Sequence, residues 1–456
     1  MSENHAHPHD HPHAGTGSAL RDAQGHRIHA AGTAGAWDRR RFMTLMFAST
    51  GAAAFATMAA ACGSSGTSTT AASSATSSAA AGGPPDGGPG GGGTDQGITE
   101  EFVGLTTDGN VVPDLYTIQA SGVSTAGVVS AATAWLATLS ADQRTSVLFD
   151  VDPEHYTQDE WRLWSNVDSY SRQGLSLQDM SADQKSAAMA ILEAGLSAQG
   201  LETAQTIMKL NTYGGRLVGQ ETQFNEDLYW FTIMGTPSGT DPWGFQLDGH
   251  HLVVNYFVLG DQVVMTPSFW GSEPTTADFG IDSDDEGLSV FDDEFSLAVA
   301  AIQSLSADEQ SMAIVSADKS AAESVAGAFQ DNAVVPYEGA LVSDLTSQAQ
   351  TAVLAFVERM VGKVDDGHAA VKMAEIRDHL DATYFAWKGG TDDDAIFYAR
   401  IQSPVIWIEF DCEGPGPLNG DRATGSSRNH VHSDVRTPNG GDYGKSLLAL
   451  HLALDH

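Results

Sequence analysis

Leu228-Tyr229-Trp230-Phe231-Thr232-Ile233, then Trp243-Gly244-Phe245-Gln246-Leu247, then His251-Leu252-Val253-Val254-Asn255-Tyr256-Phe257-Val258-Leu259 are bursts of aromatic and β-branched residues separated by turn formers, which reads as strands. Gly260-Asp261 separates the last burst from Val263 to Thr266 and has the form of a two-residue hairpin turn, so at least part of the sheet is antiparallel. A second β-region covers Thr383 to Trp387, Ala395 to Gln402, Val405 to Asp411 and Asn429 to Val435, and Asp442 is placed to cap a last helix through Leu447, Leu448 and Leu450. Strands grouped apart from helices predict an α+β fold. The expected architecture is a single large domain, residues 100–456, with an antiparallel or mixed sheet and flanking helices, not a doubly wound α/β sheet.

The helices announce themselves by their first turns. Ser140-Ala141-Asp142-Gln143, Ser181-Ala182-Asp183-Gln184 and Ser306-Ala307-Asp308-Glu309 each set a hydroxyl three residues before Gln or Glu. That spacing lets side chains satisfy the orphan amides of a helix start. Leu139, Met180 and Leu305 precede these serines as a hydrophobic staple requires, and Leu345-Thr346-Ser347-Gln348 is a looser version. The copies are short and unevenly spaced, which reads as recurring local chemistry and not as a solenoid.

Upstream of the domain the chain changes character. Arg39-Arg40-Arg41-Phe42-Met43, a weakly apolar stretch, and Ala59-Ala60-Ala61-Cys62 have the layout of a secretory leader of the twin-arginine type ending at a lipidated cysteine. On this reading residues 1–61 are removed by the export machinery. Cys62 then carries lipid and tethers the protein to the outer face of the cytoplasmic membrane, in the cell envelope. The competing reading of residues 42–61 is a membrane-spanning helix, but Ser49, Thr50, Gly51, Thr57 and many alanines make the stretch too polar for one. Residues 62–99, rich in Ser, Thr, Ala, Gly and Pro, form a flexible tether with a reach on the order of 30 Å. His5, His7, His9, His11 and His13 form a low-complexity tract inside the leader.

Charge narrows the partners. With 22 basic and 59 acidic residues the chain carries a net charge of −37, a field that repels nucleic acid and anionic lipid. The clusters Asp282, Asp284, Asp285 and Asp392 to Asp394 do not fit a twelve-residue calcium loop and read as solvated surface. With Cys62 lipidated, Cys412 has no intrachain partner and no disulfide framework exists.

Several local patterns together carry a resemblance. Trp161 and Asn166, Gly174-Leu175-Ser176-Leu177, Leu196-Ser197-Ala198-Gln199-Gly200, Gly235-Thr236-Pro237-Ser238, Pro242-Trp243-Gly244-Phe245, Gly249-His250-His251-Leu252, Thr266-Pro267-Ser268-Phe269 and Asn429-His430-Val431-His432 through Asp442-Tyr443-Gly444 to His451 resemble the domain-of-unknown-function 3500 family. The resemblance runs from about Leu139 to His456. This chain departs from the family pattern at Asp411-Cys412, where Asp-Asn is usual, and at Thr437, where an acidic residue commonly follows Arg436. The resemblance implies a single-domain architecture and no reaction.

The chemistry must therefore come from the residues. In a strand, alternate side chains share a face, so His430 and His432 project together with Asp434 and Arg436 continuing the row. Two imidazoles at i and i+2 have metal-ligand spacing, and a histidine-dominated site suits Zn or Cu, and after them Fe, better than Mg or Ca. His250 and His251 should point to opposite faces of a regular strand, so only one of them joins unless Gly249 marks a bulge. His451 lies late in the expected terminal helix. The metal-ligand set is therefore His430 and His432 first, then His251, then His250 and His451. Two function classes follow. One is a metal-dependent hydrolase or oxidoreductase acting on a small molecule, with Asp434 or Glu409 as base or orienter and Arg436 as a substrate anchor. The other is a non-catalytic binding protein in which Trp230, Trp243, Trp270 and Tyr256 line an apolar cleft. No Gly-x-Ser-x-Gly elbow and no nucleotide-binding glycine pattern is present in the domain.

Overall fold

A computed structural model describes residues 100–151, 160–418 and 425–454. The twin-arginine stretch, the His5 to His13 tract, Cys62, the tether and His456 lie outside the described residues. The strands are β1 Leu148–Phe149, β2 Leu175–Ser176, β3 Tyr229–Met234, β4 Trp243–Gly249, β5 Leu252–Leu259, β6 Gln262–Val264, β7 Ser268–Trp270, β8 Ile314–Ser316, β9 Ala340–Leu341, β10 Tyr384–Gly389, β11 Phe397–Gln402, β12 Trp407–Cys412 and β13 Val431–Arg436; the strand-forming bursts become β3 to β6 and β10 to β13, and β1, β2, β7, β8 and β9 are additional. All join one mixed sheet ordered β1-β3-β4-β5-β7-β13-β12-β11-β10-β8, with β2, β6 and β9 pairing onto its members. β1 runs parallel to β3 and β8 to β10, and the other pairings are antiparallel. Gly260-Asp261 does turn between β5 and β6, whose ends pair Leu259 with Gln262. The fold is α+β, as the sequence predicts.

The helices are α1 Ala126–Thr138, α2 Ala141–Val147, α3 Ala182–Gly195, α4 Ala198–Val218, α5 Asp292–Ser304, α6 Ala307–Ala313, α7 Ser347–Val361, α8 Asp366–Asp378 and α9 Lys445–Leu454. Ser140, Ser181 and Ser306 each form a complete capping box with Gln143, Gln184 and Glu309, and Thr346 caps α7 through the Ala349 amide. Asp442 does not cap the last helix. Its carboxylate accepts from Arg436 Nε and from the Thr437 amide, and the helix begins only at Lys445. Among the described residues no helix is long and apolar enough to cross a membrane.

The sheet separates two unlike environments. One face is apolar, with Phe231, Phe245, Val254, Trp270, Phe410, Phe397 and Trp387 packed beneath helices α1, α3, α4, α5, α7 and α8. Here lie Trp243, Trp270 and Tyr256, each at most 1 % exposed, so these aromatics build the core and line no cleft. The other face is unusually polar for a buried surface. Its rows hold Gln246, Asp248 and Asn255, then His430, His432, Asp434 and Arg436, then Glu409 and Asp411, all buried. Loops and α9 cover it through Phe269, Phe329, Tyr443 and Leu447. The two antiparallel halves of the sheet meet where β7 pairs with β13, in register at Phe269 with Asp434 and Ser268 with Val435.

Candidate metal centre

The row expected from period two forms. His432 lies in β13 opposite Asp411, Asp434 opposite Glu409 and Arg436 opposite Trp407, and His430 stands one residue before the strand on the same face. His250 and His251 are not in a strand. They are the two central residues of the β4–β5 hairpin turn, whose flanks pair Gly249 with Leu252. Their rings therefore do not alternate across a sheet but stack, with centroids 3.9 Å apart. His251 has φ +62°, a left-handed backbone that costs a residue with a Cβ roughly 1–2 kcal/mol. Its N–H donates to Asn166 O at 3.1 Å and its carbonyl accepts from Gly271 N at 2.7 Å, which fixes the turn. Gly271 must be small, because a Cβ there would meet the Val431 carbonyl at 2.7 Å.

This turn delivers the His251 ring to the pair on β13. Nε2 of His251 lies 3.3 Å from Nε2 of His430 and 3.3 Å from Nε2 of His432, and the latter two lie 3.1 Å apart. The three residues are 4 %, 7 % and 9 % exposed in residue order. The triangle fits a metal face. Three imidazoles at the usual zinc–nitrogen distance of about 2.0–2.1 Å have N···N edges of about 3.3–3.4 Å in a tetrahedron and about 2.9 Å in an octahedron.

Hydrogen bonding fixes which nitrogen faces inward with a lone pair. His430 Nδ1 lies 2.5 Å from the Gly414 carbonyl, which can only accept, so the ring proton sits on Nδ1 and Nε2 is bare. His432 Nδ1 stands 3.3 Å from Glu413 Oε1. Burial, and for His430 the neighbouring His432, pushes both pKa values down to about 4. Burial likewise drives His250 and His251 well below the usual histidine range. A cation between the three Nε2 atoms would take the lone pair that His430 aims there and those that the other two neutral rings can offer. A carbonyl and a carboxylate behind the imidazoles are the usual supports of metal-binding histidines.

Further support comes from residues that the sequence reading did not single out. Glu273 accepts Gly416 N at 2.7 Å and Leu418 N at 2.9 Å, holding the loop after β12 against the His430 ring. Asn211 Oδ1 accepts from His250 Nδ1 at 2.8 Å, and the His250 ring lies against His251. Burial pushes Glu413 up to about 7, and burial with the Glu413 charge pushes Asp411 up to about 7, although Lys319 Nζ stands 2.6 Å from Asp411. The acidic alternation Glu409, Asp411, Glu413 was visible in sequence, but its pairing with the histidine row depends on the β12–β13 register. Removing Glu413 should free the His432 ring. Glu413→Ala is expected to weaken zinc binding about 10- to 100-fold with the fold retained, read by competition with a chromogenic chelator.

The other expected site residues go elsewhere. His250 supports the triad without joining it, and His451 sits on α9 away from the converging nitrogens. Glu409 is held by Tyr398 OH at 2.6 Å and by the amides of Val325 and Ala326. Arg436 spends its guanidinium inside the fold, on Asp442, the Ala326 carbonyl and Asp331, and is fully buried, which leaves it no reach toward a substrate. Asp434 is buried with neither carboxyl oxygen hydrogen-bonded, and burial raises its pKa well above the usual range.

A family model described as a protein of unknown function, DUF3500, matches residues 121–445. No curated protein and no solved structure matches the chain.

Proposed function

The chain belongs to the DUF3500 family, whose description carries no activity, and from the histidine geometry we propose that it is a metal-dependent enzyme acting on a small molecule. The observation that carries this reading is the convergence of three buried Nε2 atoms from sequence-distant segments. An all-imidazole donor set suits zinc or copper, and after them iron. Three protein ligands with a remaining position open is the arrangement of catalytic sites, where the ion supplies Lewis acidity and activates water. The chain's own groups suit hydrolysis. Glu413, whose carboxyl lies 3.3 Å from His432 Nδ1, is an acid–base group beside the site, and Asp434 adds an unsatisfied carboxyl two residues from His432.

The sequence adds an address. The twin-arginine stretch and Cys62 support export and lipid anchoring at the outer face of the cytoplasmic membrane. A Cys62→Ser variant recovered in the membrane fraction as fully as the wild type would refute the anchor.

Elemental analysis of untagged protein tests the metal. The His430→Ala, His432→Ala double variant should hold one equivalent of transition metal fewer than the wild type, both compared as the chain from Cys62 onward, without the His5 to His13 tract. Equal metal content after loading would sink the reading. It would then favour a non-catalytic binding protein, for which a cleft of about 530 Å³ lined by Leu115, Tyr116, Met265, Met360 and His368 is the available site.

A further inference from the structure

The strand order reads the same from both ends. β1 and β8 are the outer parallel strands, β3 and β10 follow, then β4 and β11, β5 and β12, β7 and β13. The helices repeat in the same sense: α1 packs on α3 as α5 packs on α7. The registers match step by step. Leu175 pairs with Phe231 as Ala340 pairs with Phe385. Phe231 pairs with Leu247 as Phe385 pairs with Ile401, and Leu247 with Val254 as Ile401 with Ile408. Val254 pairs with Ser268 as Ile408 pairs with Val435, and the series closes because Ser268 and Val435 pair with each other. Even the strained glycines correspond: Gly174 (φ +91°) and Gly339 (φ +92°) sit where a Cβ would meet the Phe231 or Phe385 carbonyl at 2.3 or 2.2 Å. The recurring capping signals are the sequence trace of this duplication, since Ser140 and Ser306 start equivalent helices, as do Ser181 and Thr346.

The domain is therefore two copies of one unit, residues 126–270 and 292–436, joined edge to edge at β7 and β13. That seam is thin. Two registered pairs join the strands, and Ser272 and Val431 add a bridge of two hydrogen bonds, 3.0 and 3.1 Å long. The triad straddles the seam. His251 comes from the first copy, His430 and His432 from the second, and neither copy has three ligands of its own. The counterpart of His251 is Val405, in the turn between Ser403 and Ile406. By their pairings with β5 and β12, Val264 and Gln262 stand where His432 and His430 do. These residues bind no ion, so the duplicated unit carries one centre and not two.

We propose that this centre is a clasp: a single divalent ion, bound by one histidine of the first copy and two of the second, holds the two sheet halves together. The proposal rests on the metal reading above. Every opening of the seam that separates His251 from His430 and His432 breaks a metal–nitrogen bond and weakens the hold on the ion, so zinc opposes those openings and leaves the outer strands to open as before.

Hydrogen exchange on the full chain, with zinc or with chelator in mild denaturant, tests it. With free zinc at about 100 times Kd, exchange at the amides of Gly271, Ser272 and Val431 should slow about 100-fold. The amides of β3 and β10 should change far less. In a His251→Ala variant, which retains both ligands of the second copy, the seam should lose this response. Zinc that protects the wild-type chain against thermal unfolding yet leaves Gly271, Ser272 and Val431 unchanged, or slows all strands equally, overturns the clasp while the metal reading stands. If zinc neither binds nor protects, the metal reading fails first and the clasp falls with it.

Discussion

The His430→Ala, His432→Ala protein is expected to unfold at the same temperature with and without zinc, whereas the wild-type chain should gain about 3–4 kcal/mol when free zinc reaches 100 to 1,000 times Kd. Both chains start at Cys62, after the leader that holds the His5 to His13 tract, so that tract adds no zinc binding to either. Acid gives a second readout on metal-free protein. Burial lowers His430 and His432 to about 4, below the ordinary value of about 6.5 that they regain on unfolding. Between those values the unfolded chain binds protons that the folded chain refuses, so stability falls as pH falls through that window. Each ring contributes up to roughly 3 kcal/mol of that loss. The double variant lacks both rings, so its stability should drop less between pH 7 and pH 5 in urea titrations. A variant as acid-sensitive as the wild type would mean that the rings are solvated in solution and do not form the buried triangle.

How much of this was readable beforehand follows from which contacts are local. Period two in Asn429 to Arg436 put His430, His432, Asp434 and Arg436 on one face, because alternation needs only a strand. The same logic failed at His250 and His251, since Gly249 to Leu252 closes a hairpin and the left-handed φ of His251 turns its ring toward β13. Glu273 and Glu413 act on the histidines through a loop and through the β12–β13 register, and neither is set by sequence spacing. In the fold, the aromatic bursts and capping boxes were legible because propensity and capping act within a few residues. The duplication was not. Its two copies share pairings and strained glycines while most side chains differ, and β1, β2, β8 and β9 are too short to show any period.

Arg436 was expected to meet a substrate and instead holds the fold, and its loss should have the largest effect on stability of any change considered. Its guanidinium donates to Asp442 Oδ2 at 2.9 Å, to the Ala326 carbonyl at 2.7 Å and to Asp331, and Arg162 Nε donates to the other Asp331 oxygen at 2.7 Å. Burial acts to raise the Asp331 carboxyl, but the two guanidiniums outweigh it and hold it below the usual range. Arg436→Leu strands the Asp442 charge and half-strands that of Asp331 in a dry interior, a change that costs about 3–5 kcal/mol. Arg436→Lys keeps the charge but cannot reach three acceptors with one ammonium, so it should fall between. The pH dependence separates this from simple loss of packing. Without Arg436 the folded-state pKa of Asp331 should rise above that of the unfolded chain and that of Asp442, which burial already raises, should climb further, so folding takes up protons and the deficit relative to wild type should shrink as pH falls from 7 toward 5. A deficit under about 1 kcal/mol, or one that does not change with pH, would mean that these carboxyls are not held as charges. Because Arg436 ends the strand that begins beside His430, a large deficit accompanied by weaker zinc binding would show that the buried ion network also holds the ligand row in place.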